Sequence, residues 1–191
     1  MNRTIALVGV PSSAGAHWPG QEKAPQYLRH AGLVARLEAV GLDVIDCGDL
    51  PLVRFRPDRE HRHQQNLATV VEVSRRVADQ IDLALQRNAI PLVIGGDCTI
   101  GLGVIAGFLR HEKDLGLLYF DGHVDLNTPA TSTSGILDSM ACLAVFTSSP
   151  NFGGLTVTEF NPDHADEGNA LAATFLEGLA QALVGKEPAM T

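Results

Sequence analysis

Leu117-Leu118-Tyr119-Phe120-Asp121-Gly122-His123-Val124-Asp125-Leu126-Asn127 is the stretch on which the fold turns. Its apolar run has no polar break, which predicts a strand buried on both faces, and it gives way at once to two carboxylates and an imidazole at alternate positions. Ligands of open parallel sheets bind beyond the carboxyl ends of strands. Asp121, His123 and Asp125 are therefore expected to project from one rim into one crevice. Carboxylate oxygens and a neutral imidazole nitrogen suit a divalent cation such as manganese, and the close spacing lets one carboxylate bridge two ions. A polar loop that merely caps a strand is the competing account, and it explains less well why three such groups fall within five residues.

Upstream of this stretch, Ile90 to Ile94 predicts another buried strand running into Gly95-Gly96-Asp97-Cys98-Thr99, before an apolar helix through Leu109. Cys98 then falls at a helix start, where the positive end of the dipole favours thiolate. Gly101, Gly103 and Gly107 lie inside that helix rather than in the turn, so they are no dinucleotide fingerprint. The sequence contains no Walker loop and no Gly-x-Ser-x-Gly, and no spacing announces a catalytic triad.

Near the start, Thr4 to Val10 predicts a first strand, followed by a Pro/Ser/Gly-rich loop holding His17 and Trp18. Asn2-Arg3, this apolar run and Ala14-Gly15-Ala16 loosely imitate a signal peptide, but the run is short and broken by Pro11, so a strand is expected. Pro25 to Val40 predicts one helix on Leu28, Leu33, Val34 and Leu37, stopped by Gly41, and Leu42 to Cys47 a second strand. The β-α-β order implies a right-handed parallel crossover. Arg54, Arg56, Arg59, His61, Arg62 and His63 fall in an irregular, proline-containing segment that reads as a surface loop rather than a metal site. A long amphipathic helix is expected from about His63 to Asn88, another from Ile136 to Phe146, a strand from Leu155 to Phe160 and a last helix from Ala165 to Val184.

With 191 residues and 45% hydrophobic content the chain fits one α/β domain over 1–191. A net charge of -8 and a pI near 5.2 argue against nucleic acid or an anionic membrane as partner and favour a small molecule. Cys47, Cys98 and Cys142 are odd in number and widely spaced, which suits a reducing, cytoplasmic setting rather than a disulfide framework. No run reaches the roughly 18 apolar residues of a membrane helix.

Taken in order, Pro19 to Arg29, Gly95 to Thr99, Asp121 to Pro129, Ser132 to Gly135 and Val157 to Pro162 resemble the signature segments of the arginase/agmatinase (ureohydrolase) family. The Asp-x-His-x-Asp-x-Asn-Thr segment is the specific one. The resemblance implies a three-layer α/β/α fold with a mainly parallel sheet, shortened here, and a centre of two manganese ions whose bridging hydroxide attacks a guanidinium carbon to release urea. It implies that Asp121 bridges both ions, that Asp125 and Cys98 serve one of them, and that His123 serves the other. Cys98 stands where the family usually has histidine. Asn127, Ser132 and Ser134 match positions that hold the substrate's α-carboxylate and α-amino group, and Glu159 matches a carboxylate that pairs with the guanidinium. Asp138 stands where arginases carry a proton-shuttling histidine, and with an ordinary pKa it is expected to be ionised and a poor acid at neutral pH.

The family's second aspartate motif, Asp-x-Asp-x-x-Asp-Pro, is absent from this sequence, as though a deletion near 147–153 had removed the intervening elements. The last strand is then expected between the strands ending at Gly95 and Phe120. A thiolate and missing carboxylates should weaken manganese binding and tilt preference towards zinc or iron. Asp163, His164 and Asp166 are the local candidates to fill the gap, although a helix N-cap accounts for Asp163. Three functions follow: an impaired metal-dependent hydrolase of an arginine-like guanidino compound, forming homo-oligomers as its family does; a truncated homologue that folds or assembles without turnover; and, less well supported, a thiol enzyme using Cys98.

Overall fold

The computed structural model describes residues 3–111, 115, 121, 125, 132–143 and 155–157. The expected strand at 117–120, the helix at 165–184, and His123, Asn127, Glu159, Asp163, His164 and Asp166 lie outside the described residues. The described strands are β1 (Thr4–Val10), β2 (Asp43–Asp49), β3 (Ile90–Gly95) and β4 (Leu155–Val157), and they form one sheet in the order β2-β1-β3-β4. All three pairings are parallel. Between the strands come α1 (Ala24–His30), α2 (Leu33–Ala39), α3 (Leu67–Gln86) and α4 (Ile100–Phe108).

Alternation along β1 and β3 sorts the helices into two layers. Ile5, Leu7, Leu92 and Ile94 point to one face, where Leu28, Leu33 and Leu37 of α1 and α2 cover them. Val8, Val10 and Val93 point to the other, beneath Val73, Val77 and Ile81 of α3 and Ile100, Val104 and Phe108 of α4. Because the side-chain period of a strand is two, a central strand covered on both faces must be free of polar side chains on both, which is what Ile5 to Val10 of β1 show. The fold is thus a shortened three-layer α/β/α arrangement. Each fully buried Leu or Ile in these layers contributes about 1.5–3 kcal/mol of burial free energy.

Several boundaries differ from the sequence expectation for local reasons. The helix expected over 25–40 is two helices, because Gly32 between them takes a φ of +89°. The start of α3 moves from His63 to Leu67. Asp58 gathers the backbone N–H groups of Glu60, His61 and Asn66 into turns, and Asn66 itself has a φ of +58°. At the other end, Asn88 at φ +53° stops the helix. The helix expected over 136–146 is a 3₁₀ segment, Asp138–Leu143. β2 is largely exposed rather than buried, since among the described residues it pairs only with β1. Arg29 of α1 holds it in place, gripping both carboxylate oxygens of Asp46 at 2.8 and 2.9 Å and reaching Asp49. β4 pairs with β3, one of its two expected neighbours; the other, ending at Phe120, lies outside the described residues. No helix among the described residues is long and apolar enough to cross a membrane.

Candidate metal centre

The chain leaving β1 passes to α1 on one face of the sheet, and the chain leaving β3 passes to α4 on the other. The connections therefore diverge between two neighbouring parallel strands, which opens a crevice at their carboxyl ends. Its floor is tightly built. A Cβ on Gly96 would lie 1.5 Å from the Ser12 carbonyl oxygen, so only glycine lets the end of β3 meet the loop after β1 this closely. The Asp97 backbone N–H then donates to that same carbonyl at 3.1 Å.

Asp97 locks the floor. Its fully buried carboxylate accepts from the Gly15 and Thr99 backbone N–H groups, each at 3.0 Å, and from the Thr99 hydroxyl. Burial nevertheless pushes its pKa up, against the lowering effect of these donors. Sequence reasoning assigned Asp97 no role; its signal was an acidic residue two positions before a threonine at a helix start. The next residue, Cys98, is buried at the entry to α4, and its thiol donates to Asp121 Oδ2 at 3.4 Å. Cys98, Asp121 and Asp125 each offer a ligand atom, and the three atoms lie within 4.8 Å of one another. Asp125 adopts a left-handed backbone at φ +46°, an uncommon conformation that aspartate tolerates better than most residues.

The donor set fits a divalent ion. With metal–sulfur and metal–oxygen bonds of about 2.3 and 2.1 Å, two ligands on one ion stand about 3.1 Å apart at right angles and about 3.6 Å apart at the tetrahedral angle. The Cys98–Asp121 separation of 3.4 Å falls between them.

Asp138 belongs to the same crevice. Its backbone N–H donates to the Gly15 carbonyl at 3.0 Å, and its carboxylate accepts from the Ser139 N–H at 2.6 Å. The expectation of an ordinary pKa is corrected: burial raises it to about 6, Asp97 and Asp125 add to the rise, and the Ser139 N–H and His17 oppose it. No spacing in the sequence could have shown this, because the cause is enclosure by loops distant in the chain.

Ser132 and Ser134 meet at 3.4 Å between their hydroxyl oxygens. Each accepts a backbone N–H, from Gly135 at 3.0 Å and from Ile136 at 3.3 Å, so these oxygens cap the loop; one O–H is used between the two hydroxyls and the other keeps donor capacity. Gln65 braces this loop from the far side, with its amide donating to the Ser134 carbonyl at 2.9 Å. Gln65 too escaped sequence reasoning. The histidines of the 54–63 loop join no metal-ligand cluster among the described residues, and His61 turns instead to Asp58 at 3.0 Å. His123, Asn127 and Glu159, the other expected site residues, lie outside the described residues.

Comparison with known proteins agrees with this architecture. A profile of the arginase family matches residues 3–149, so Glu159 lies beyond the match. An arginase from Brevibacillus brevis is 40% identical over 144 residues, which is 75% of this chain and 48% of that protein. Among solved structures, an arginase from Bacillus cereus superposes with a TM-score of 0.65 at 36% identity, covering 73% of this chain and 46% of the other. An Entamoeba histolytica arginase in complex with L-ornithine superposes with a TM-score of 0.66 at 29% identity, covering 74% and 49%. The chain spans about half the length of the curated relatives it matches.

Proposed function

This chain belongs to the arginase family, and from that premise we propose that it is a metal-dependent hydrolase of guanidino compounds that releases urea, working at reduced rate. The observation that carries the proposal is the convergence of Cys98, Asp121 and Asp125, from two separate segments, at the crevice where the β1 and β3 connections diverge. A divalent ion held by these donors supplies Lewis acidity and brings the pKa of bound water towards 7. Manganese is the ion the family resemblance suggests, with His123 as a further ligand.

The chain's own residues then have distinct tasks. The Ser132–Ser134 pair, fixed by Gly135, Ile136 and Gln65, offers hydroxyl donor capacity to a substrate carboxylate, a task the family resemblance also assigns to Asn127. The Entamoeba histolytica arginase in complex with L-ornithine has an amino acid as its ligand, which supports an arginine-like substrate here. The family resemblance assigns Glu159 to pair with the guanidinium. Asp138, with a pKa of about 6, changes protonation close to neutrality and so can take and return a proton beside Asp125. The test is urea release from arginine, agmatine and guanidinobutyrate with added manganese or zinc, against Asp121→Asn. Absence of urea from every substrate at metal saturation overturns the proposal.

A second reading is a relative that folds without turnover, favoured by the absence of the second aspartate motif from the sequence. It predicts less than about one bound ion per chain and no thermal stabilisation by metal.

A further inference from the structure

We propose that the ion selectivity of this crevice is set by the Cys98 thiolate, favouring zinc, cobalt or cadmium over manganese. The inference rests on reading this crevice as a metal site and adds which ion it selects. Three described donors, one sulfur and two oxygens, lie within 4.8 Å of one another.

The identity of the third donor then decides selectivity. Thiolate is soft, and hard carboxylate oxygens alone would not separate manganese strongly from its competitors; sulfur does. Cys98 cannot easily turn away. It is 6% exposed, its backbone carbonyl accepts from the Gly101 N–H at 3.0 Å, and Asp97 and Thr99 on either side are pinned by the hydrogen bonds to Gly15 and to each other. Its Sγ already stands at the separation from Asp121 that a shared ion requires. A cysteine so fixed, at the entry to a helix and facing two carboxylates, is a preorganised ligand rather than a packing residue.

Cobalt(II) titration of the purified protein, followed by absorption spectroscopy, tests this without reference to turnover, because thiolate-to-cobalt charge transfer gives a near-ultraviolet band that oxygen ligands do not. The expected result is bound cobalt with that band. In Cys98→Ser, which keeps the side chain's size, the band disappears and zinc affinity measured by equilibrium dialysis falls by at least about 10-fold, the lower bound seen even for outer-shell changes, while manganese affinity moves less. Cys98→His guards against misfolding: it should bind metal without the band and with a zinc-to-manganese preference closer to even. Cobalt bound without the band overturns this inference while leaving the metal-hydrolase reading standing. Failure of cobalt, zinc and manganese alike to bind overturns both.

Discussion

Replacing Gly96 by alanine tests whether the crevice floor is built as described. The new Cβ would sit 1.5 Å from the Ser12 carbonyl oxygen, against about 3.3 Å for an ordinary carbon–oxygen contact, so one backbone must retreat by roughly 1.8 Å. Neither side yields easily. Ser12 and Ser13 are buried, and the loop is stitched by the Asp97 N–H to Ser12, by the Ser13 N–H to Val53 and by the Val53 N–H to Pro11. Overpacking of this kind costs about 1–3 kcal/mol, and loss of the Asp97–Ser12 hydrogen bond adds about 1. Against that, alanine restricts the unfolded chain and returns about 0.4–1 kcal/mol. The balance is a destabilisation of about 2–3 kcal/mol, or roughly 5–10 °C in Tm for a chain of this size. Urea denaturation followed by far-ultraviolet circular dichroism is the appropriate assay, since Trp18 is 76% exposed and a poor reporter of packing. Gly101→Ala is the control: nothing lies within 4 Å of its Cβ, so in α4 it should stabilise by about 0.5–1 kcal/mol. A Gly96→Ala midpoint within about 0.5 kcal/mol of the parent would refute the close contact between β3 and the β1 loop.

Leu92→Ala, at a fully buried position between β3 and the α1/α2 layer, should cost about 2–5 kcal/mol in urea denaturation with an unchanged m-value. Arg29→Ala removes a two-pronged grip on Asp46 together with the link to Asp49, and should cost about 1–2 kcal/mol, with the β2 amides losing hydrogen-exchange protection first. In the metal-free protein, Asp138 holds a proton that an unfolded carboxylate near 3.8 has released, so stability should fall as pH rises from about 4 to about 6; burial of Asp97, which raises its pKa, acts in the same sense. For Asp138 the rise from 3.8 to about 6 corresponds to at most about 3 kcal/mol, reduced to about 1–2 by its partial exposure, and Asp138→Asn should flatten this slope between pH 4.5 and 6.5. Asp46, held low by Arg29, acts in the opposite sense, and its contribution should be lost as pH falls below about 4.

Patterning alone was enough to determine the layered α/β class. Unbroken apolar runs at Thr4–Val10 and Ile90–Gly95, separated by helical periodicity on α3, leave few alternatives to a parallel sheet covered on both faces. Asp121 and Asp125 stood out as candidate donors by their spacing after an apolar run, whereas Cys98 entered that set only through the family resemblance; the structure brings ligand atoms of the three within 4.8 Å of one another. Where α1 breaks from α2 and where α3 begins depended on single residues, Gly32 and Asn66, whose left-handed backbones periodicity does not register. What only the tertiary structure decided was electrostatic and steric: the pKa of Asp138, the burial of Asp97, the bracing of Ser134 by Gln65 and the meeting of Gly96 with Ser12. Each arises between segments far apart in the chain, and desolvation and close contact are properties of enclosure, which a linear pattern does not contain.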